Sequence, residues 1–215
     1  MSLFISFEGV EGSGKSTQVH LLNNYLIDKG FKTLLTKEPG GTEAGEKIRE
    51  ILLENKFKLA PYTELFLYLA SRSQNTIYTI IPALESNKIV IADRYSESTI
   101  AYQVAGRGLP EKIINEVNAL ATKGLSPDVT FLLDFDPEIG LQRIGYKKDR
   151  IERENIDFHL KVRAAYKKLS RQYPDRIYMV DASRPPEKIH QIIINKISNL
   201  LPQLKGNKQN NHAHK

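Results

Sequence analysis

Residues 9–16 carry the pattern in this chain that says most about chemistry. They read Gly-Val-Glu-Gly-Ser-Gly-Lys-Ser and match G-x-x-x-x-G-K-[ST] in full. In such a loop the glycines let successive backbone N–H groups point at phosphate oxygens, at the start of a helix whose dipole favours negative charge. Lys15 can then reach the β- and γ-phosphates of a nucleotide, and Ser16 can hold Mg²⁺. The sequence therefore predicts a phosphate-binding loop.

A strand must lead into this loop and a helix must leave it. The apolar run of residues 3–7 precedes the loop, and Val19, Leu22 and Leu26 recur at helical spacing after it, until Gly30 supplies a stop. This order of strand, loop and helix argues against an ordinary glycine-rich turn.

Further along the chain, β-like runs alternate with helical patterns, which is the order that builds a parallel sheet. The predicted strands are residues 3–7, 33–36, 88–92, 129–134 and 177–180. The predicted helices after the first are residues 62–85, 111–121, 137–144, 158–172 and 186–200. Pro82 should bend or end its helix. We expect a three-layer α/β/α fold in which helices cover both faces of a five-stranded parallel sheet.

Length and composition restrict the class of protein. The chain has 215 residues, a net charge of +6 and no cysteine. We expect a single domain over residues 1–204 and a disordered polar tail over residues 205–215. Without cysteine a thiolate-built zinc site is impossible, and any metal should be bound by oxygen. Basic residues alternate with acidic ones, and no apolar stretch approaches the ~20 residues that span a bilayer. These features favour a soluble cytoplasmic protein that handles anionic small molecules, without a nucleic-acid or membrane partner.

Open parallel sheets bind ligands beyond the carboxyl ends of their strands. Three segments rich in polar residues lie there, namely residues 37–42, 93–98 and 143–153. Asp93 ends an apolar strand, from which phosphate-loop proteins present a carboxylate toward Mg²⁺; the alternative is that it caps the next helix. Arg94 offers a planar fork that grips phosphate in two places, or that forms a surface ion pair.

Basic side chains crowd the third of these segments. They are Arg143, Lys147, Lys148, Arg150 and Arg153, opposed only by Asp149 and Glu152. Most charge runs are solvated helix faces. The alternative is a short lid, about residues 143–155, whose arginines neutralise charge on a transferred phosphoryl group.

Four segments together resemble the bacterial thymidylate kinase family. They are Phe-Glu-Gly-Val-Glu-Gly-Ser-Gly-Lys-Ser-Thr at residues 7–17, Glu-Pro-Gly-Gly-Thr at 38–42, Asp-Arg-Tyr at 93–95 and Ala-Tyr-Gln at 101–103. The resemblance covers about residues 3–200, and the Glu-Pro-Gly-Gly-Thr segment is its most discriminating part. Because the loop has no arginine and the lid is rich in arginine, the chain resembles the lid-arginine type of this family.

The resemblance implies a cytoplasmic homodimeric enzyme that uses Mg²⁺ and transfers the γ-phosphoryl group of ATP to dTMP, giving dTDP and ADP for dTTP synthesis. For the ATP site it implies Gly9, Glu11, Gly12, Ser13, Gly14, Lys15, Ser16, Thr17 and Arg143, with Arg143 stacked on adenine. For Mg²⁺ it implies Ser16 and Asp93. For the dTMP site it implies Glu38, Arg49, Tyr68, Arg72, Arg94, Ser98, Tyr102 and Gln103. The catalytic residues it implies are Lys15, Arg94, Arg150 and Arg153.

Several of these assignments have a competing interpretation. Tyr68 would stack on thymine, with Arg72 bonding an exocyclic oxygen, but the family usually has Phe at this position and Tyr68 could be an ordinary core residue. Tyr102 resembles the residue placed under the sugar to disfavour a ribose. Glu38 could serve the sugar hydroxyl or the metal shell, or be solvated, and Arg49 could contact the acceptor phosphate or lie exposed on an amphipathic helix.

The expected acceptor explains why the sequence offers no obvious general base. The second ionisation of a nucleoside monophosphate has a pKa of about 6, so the attacking oxygen is largely deprotonated at neutral pH. Two alternatives remain open from the sequence. One is a kinase for another nucleotide or for a nucleoside. The 5′-hydroxyl of a nucleoside would need a general base, and Glu38 would be the best candidate. The other is a nucleotide-dependent switch or ATPase, although neither Asn-Lys pair of the chain continues into the Asn-Lys-x-Asp motif of guanine-specific switches.

Overall fold

A computed structural model describes residues 2–146 and 148–201 of the chain. One sheet has five strands, all parallel, in the order β2-β3-β1-β4-β5. The strands are β1 Leu3–Glu8, β2 Thr33–Lys37, β3 Ile89–Asp93, β4 Val129–Asp134 and β5 Ile177–Asp181. The five predicted strands are confirmed, each end to within one residue. The predicted tail at residues 205–215 lies outside the described residues.

Helices surround the sheet. They are α1 Lys15–Asp28, α2 Glu43–Leu53, α3 Pro61–Asn75, α4 Ile81–Glu85, α5 Ser96–Thr99, α6 Glu111–Thr122, α7 Pro137–Ile144, α8 Ile156–Gln172 and α9 Pro186–Leu200. Two π-helical segments, Thr76–Ile80 and Ile100–Gly106, continue α3 and α5. None of the helices among the described residues is long and apolar enough to cross a membrane.

The sheet has a core on each face because successive strand residues point in opposite directions. Leu3 and Ile5 of β1 belong to the larger apolar cluster, which includes residues of α1, α8 and α9. Phe4, between them, belongs to a smaller cluster with Ile80 and Ala83. The strands are therefore nearly continuous apolar runs, as expected for a parallel sheet buried on both sides.

The predicted helical stretch of residues 62–85 is divided just before Pro82, which was expected to bend or end its helix. The chain leaves α3 through the π-helical segment and enters α4, with Pro82 in the first turn. Pro lacks a backbone N–H and crowds the preceding turn, and the regular α-helical pattern is replaced by the π-helical pattern directly before α4. By contrast, the helical stretch from α5 to residue 106 was not predicted, since it is short and has no regular apolar period.

Candidate active site

The loop after β1 is packed tightly against α7. Gly12 has a φ of 68°, and a Cβ at this position would lie 2.3 Å from the carbonyl oxygen of Gly140. Gly14, with a φ of 87°, leads directly into α1, whose first turn presents Ser16 and Thr17 at the surface. The loop therefore ends at a helix N-terminus, where unpaired N–H groups and the helix dipole favour an anion.

Lys15 folds back over this loop. Its Nζ donates to the carbonyl oxygens of Gly9 at 3.1 Å and Val10 at 2.8 Å, and Ser13 Oγ also donates to the Val10 carbonyl at 2.8 Å. Burial lowers the pKa of the Lys15 ammonium to about 8, and the charge of Arg94 acts in the same direction. A phosphate group at this place would stabilise the charged form, so Lys15 is arranged to receive an anion.

Ser16 and Asp93 lie next to each other and are the residues that could hold a divalent cation. Ser16 Oγ donates to Asp93 Oδ2 at 2.6 Å, and both residues border the same cavity. In the described parts of the chain, no group of three His, Asp or Glu side chains could hold a metal by itself. A Mg²⁺ ion would therefore take one hydroxyl and one carboxylate from the protein and the remaining oxygens from nucleotide and water, which is its usual preference.

Arg94 connects β3 to the phosphate-binding loop. Its backbone has a φ of 74°, a left-handed conformation that costs roughly 1–2 kcal/mol for a residue with a Cβ. Nη1 donates to the Gly9 carbonyl at 2.9 Å, and Nη2 donates to Glu11 Oε1 at 3.0 Å. The guanidinium carbon also lies 5.1 Å from the centre of the Tyr102 ring. The side chain is thus held at the loop by contacts within the protein.

Glu11 is a buried carboxylate close to the positively charged side chains of Lys15 and Arg94. Tyr102 donates its hydroxyl to Glu11 Oε1 at 2.5 Å, and His159 Nδ1 lies 3.4 Å from Glu11 Oε2. Burial alone would raise the pKa of Glu11, but His159 and the charges of Arg94 and Lys15 outweigh it and bring the pKa to about 2. Glu11 is therefore ionised throughout the physiological range.

A second buried carboxylate, Glu8, ends β1. It accepts hydrogen bonds from the Tyr95 amide at 2.7 Å, Ser98 Oγ at 2.6 Å and the Tyr166 hydroxyl at 2.7 Å. Burial raises the pKa of Glu8 to about 7, and the charge of Glu97 acts in the same direction. Glu8 therefore fixes the orientation of Ser98, which borders the cavity.

One cavity of about 310 Å³ collects most of the predicted site residues. The phosphate-binding loop and α1 contribute Glu11, Gly12, Lys15 and Ser16 to its wall, and the lid contributes Asp149, Ile151 and Glu152. Every residue that the resemblance implies for the dTMP site borders it too. These are Glu38, Arg49, Tyr68, Arg72, Arg94, Ser98, Tyr102 and Gln103.

Arg72 is almost entirely committed to the protein. It is 2% exposed; Nε donates to Glu38 Oε2 at 2.7 Å, and Nη2 donates to the Tyr95 carbonyl at 2.8 Å. Nη1 donates to Asn118 Oδ1 at 2.8 Å and to Thr99 Oγ1. Of its five N–H groups, one has no acceptor among the described residues.

The same contacts exclude one interpretation of Glu38 and leave its roles toward the sugar hydroxyl or the metal shell as predictions. Its side chain is buried, so it is not a solvated loop carboxylate. Burial raises the pKa of Glu38 and the charge of Arg72 opposes this shift. Asn75 Nδ2 donates to the other carboxylate oxygen at 3.2 Å. Glu38 is thus a buried counter-ion that holds Arg72 at the cavity wall.

Tyr68 and Arg49 lie at the wall of the cavity as side chains of α3 and α2. Tyr68 is half-buried, whereas its neighbours Leu65 and Leu69 belong to the apolar cluster that α3 shares with α6. Burial raises the pKa of the Tyr68 hydroxyl. Arg49 Nη1 donates to the Pro39 carbonyl at 2.9 Å. Both side chains are thus partly buried and border the cavity.

Arg143 lies beside the phosphate-binding loop. Its guanidinium carbon is 3.9 Å from the centre of the Phe135 ring, and Nη1 is 3.5 Å from the Gly12 carbonyl oxygen. The side chain is exposed, so one face of a planar cation is available beside the loop. Lys147, in the same basic segment, lies outside the described residues.

The two lid arginines do not border the cavity. Arg150 Nη1 donates to Glu64 at 2.6 Å and its Nε donates to the Leu52 carbonyl at 2.8 Å. Arg153 is exposed, and its Nε donates to the Lys148 carbonyl at 3.0 Å. The lid arginines therefore reach a substrate only if the lid or their side chains move.

The residues that touch predicted site residues and were missed from the sequence include Glu8, Glu64, His159 and Tyr166. Glu8 directly precedes the glycine-rich loop, which is a local signal. The others lie on helices, where nothing in the spacing distinguishes them from an ordinary amphipathic face, because their partners lie far away in the chain. Tyr166, for example, is 158 positions from Glu8.

Comparison with known proteins gives a consistent result. A family model described as thymidylate kinase matches residues 7–193. A thymidylate kinase of Kosmotoga olearia is 44% identical over 204 residues, covering 94% of this chain and 98% of the relative. One of Halothermothrix orenii is 46% identical and covers 93% and 98%. A solved thymidylate kinase of Ehrlichia chaffeensis superimposes with a TM-score of 0.75 at 32% identity, covering 92% of this chain and 98% of that one.

Proposed function

The chain belongs to the thymidylate kinase family, and we propose that it transfers the γ-phosphoryl group of ATP to dTMP, giving ADP and dTDP. The observation that carries this proposal is a single cavity bordered both by Lys15 and Ser16 and by the whole predicted acceptor set. A switch or a simple ATPase needs only the residues that bind the phosphates of the nucleotide donor. The further residues in the same cavity, which are suited to an anionic acceptor, support a phosphotransferase.

The proposal is tested by the release of ADP with ATP and Mg²⁺ against dTMP, dUMP, dCMP, dGMP, AMP and thymidine. We expect dTMP to give the highest kcat/KM. Lys15→Ala is the control, since loss of one charge-stabilising donor costs about 10²–10³ in rate. A preference for another monophosphate or for thymidine would replace dTMP as acceptor, and hydrolysis stimulated by DNA without an acceptor would indicate an ATPase.

The transfer forms a bond between a phosphate oxygen of dTMP and the γ-phosphorus, and breaks the bond from that phosphorus to the oxygen bridging the β-phosphate. The attacking oxygen needs no base, because the monophosphate is largely dianionic at neutral pH. The protein must instead hold two anions in line. Lys15 on the donor side and Arg94 on the acceptor side, both touching the Gly9 carbonyl, are suited to this task.

Ser16 and Asp93 are the residues that would hold Mg²⁺. Their oxygens are 2.6 Å apart, at the side of the cavity where Lys15 lies. When bound, the ion supplies positive charge to the donor phosphates and to the leaving group.

The acceptor's base and sugar fit the other end of the cavity. Tyr68 offers an aromatic face for thymine, and Arg72 offers its remaining N–H group. Tyr102 is fixed by its hydrogen bond to Glu11 and suits a place under the sugar. Gln103 and Ser98 line the base pocket, and Arg49 serves the acceptor phosphate.

The donor base and the lid complete the proposed site. Arg143 would stack on adenine with its exposed face. Arg150 and Arg153 would neutralise charge on the transferring group after lid closure, which also excludes water and so prevents hydrolysis of ATP. Arg150 is bound to Glu64 through Nη1, whereas its Nη2 has no hydrogen-bond partner among the described residues and is the nitrogen that would approach the transferring group.

We also propose a cytoplasmic homodimer. Exposed apolar side chains on α3 and α6 support this assembly: Tyr62, Phe66, Ile113 and Leu120 are 44%, 58%, 46% and 80% exposed. These two helices pack on each other through a shared apolar cluster. An apolar surface of this kind on paired helices is characteristic of an interface between copies.

A further inference from the structure

Glu64 of α3 is a buried carboxylate with an unusual number of donors. It is 1% exposed and accepts four hydrogen bonds from side chains of three residues. Gln103 Nε2 donates at 3.1 Å, Arg107 donates through Nε at 3.0 Å and Nη2 at 2.9 Å, and Arg150 Nη1 donates at 2.6 Å. Burial alone would raise the pKa of Glu64, but Arg107 and Arg150 outweigh it and lower the pKa. Glu64 is therefore a fixed negative charge.

The donors come from two parts of the proposed site. Gln103 borders the acceptor cavity, whereas Arg150 belongs to the lid. In the described portion of the chain no hydrogen bond joins Gln103 to Arg150, so their connection runs through Glu64. Because an ionised carboxylate only accepts, it forces Gln103 to turn its NH₂ group toward Glu64 and leaves the amide carbonyl for other partners.

Arg150 is bound on its other side as well. Its amide donates to the Leu53 carbonyl at 3.1 Å, and its Nε to the Leu52 carbonyl at 2.8 Å. Both carbonyls belong to the last turn of α2, where helical oxygens lack an intrahelical donor and a cation is favoured. Arg150 is thus held from two sides, by the Glu64 carboxylate and by the carbonyl groups at the end of α2.

We infer that Glu64 is a positioning residue that sets both the Gln103 amide in the acceptor pocket and Arg150 in the lid. This inference rests on the proposed kinase function and deepens it. Glu64 does not border the cavity and acts through its two partners. Arg107, which Glu154 also pairs at 2.6 Å, keeps the carboxylate ionised and in place.

The inference predicts a distinct kinetic pattern for three single variants. Arg150→Met should lower kcat at least tenfold and leave the KM for dTMP within twofold, because Glu64 still orients Gln103. Gln103→Leu should raise the KM at least fivefold with a smaller effect on kcat. Glu64→Gln should both lower kcat and raise the KM for dTMP, because it affects Arg150 and Gln103 together. Glu111→Gln, which removes a carboxylate from an exposed ion pair with Lys168, is the matched control and should change neither constant by more than twofold.

The decisive measurement is the double variant Glu64→Gln with Arg150→Met. If Glu64 acts on kcat through Arg150, the double variant should have a kcat within twofold of Arg150→Met alone. Losses that multiply, or an unchanged KM in Glu64→Gln, would overturn the inference. Glu64→Asp keeps the charge beside Arg107 and should show the same pattern at threefold or more if Glu64→Gln does not fold. An inactive wild-type protein would reject the proposed function itself, whereas an active wild type with multiplying losses rejects only the role of Glu64.

Discussion

Arg94 Nη2 lies 3.0 Å from Glu11 Oε1, so the arginine proposed to grip the acceptor is anchored to the loop that binds the donor. The two anions of the reaction are thereby held by one connected unit. We expect Arg94→Ala to lower kcat/KM for dTMP by about a hundredfold or more, since it removes both charge and alignment. Steady-state kinetics with varied dTMP measures this loss.

Two matched variants show whether the anchoring matters. Arg94→Lys should recover little, because one ammonium cannot reproduce a planar fork that bonds two partners. Glu11→Gln should lower kcat/KM about tenfold, since a charge-assisted hydrogen bond is replaced by a neutral one. Wild-type kinetics in Glu11→Gln would show that the contact with Arg94 is incidental.

Tyr68 tests the stacking role against a core role. Tyr68→Phe should keep the KM for dTMP within about threefold, whereas Tyr68→Ala should raise it roughly tenfold or more, because base–aromatic stacking contributes about 1–3 kcal/mol. Thermal denaturation separates the two roles. A large fall in Tm for Tyr68→Ala with an unchanged KM would make Tyr68 a core residue.

The lid arginines should affect turnover more than binding. Arg150→Ala should chiefly lower kcat if Arg150 acts in the transition state, and a change confined to KM would reassign it to ground-state binding. Arg153→Ala is the parallel variant, because the Arg153 side chain is exposed and, among the hydrogen bonds of the described chain, donates only to the Lys148 carbonyl. The larger fall in kcat identifies the arginine that dominates.

Glu8 should make stability depend on pH in a defined direction. Its pKa is about 7 in the folded protein and about 4.5 when unperturbed, so folding takes up a proton between these values. This contribution to the free energy of unfolding is complete below about pH 4.5 and is lost as the pH rises through 7. The free energy of unfolding of the wild type minus that of Glu8→Gln should therefore fall by up to about 3 kcal/mol between pH 4.5 and 8. Urea denaturation across this range measures it, and a flat difference would contradict the assignment.

The proposed homodimer predicts that a charge on the α3–α6 surface separates the subunits. Phe66→Asp or Leu120→Asp should weaken association about tenfold or more, because each buries a charge in an apolar contact. Light scattering coupled to gel filtration measures the molecular mass of the protein in solution. Ile27→Asp, at a side chain of α1 that is 52% exposed, is the control and should leave the mass unchanged. A monomeric wild type would reject the dimer.

Much of the fold followed from local patterns. The strands were predicted to within one residue at each end because apolar β-like runs bounded by turns depend on neighbouring residues alone. The helix of residues 96–106 was missed, since a short segment without regular period is held by tertiary contacts. These include Ser98 with Glu8 and Tyr102 with Glu11.

The sequence by itself determined the phosphate-binding loop, the order of the strands along the chain and the chemical types gathered at their carboxyl ends. The tertiary structure alone decided which charges meet. It paired Arg72 with Glu38, Arg94 with Glu11 and Arg150 with Glu64, across 34, 83 and 86 positions. Loop and strand patterns are short-range and can be read residue by residue. A buried charge takes whichever partner the packed helices bring within about 3 Å, and no local spacing encodes that choice.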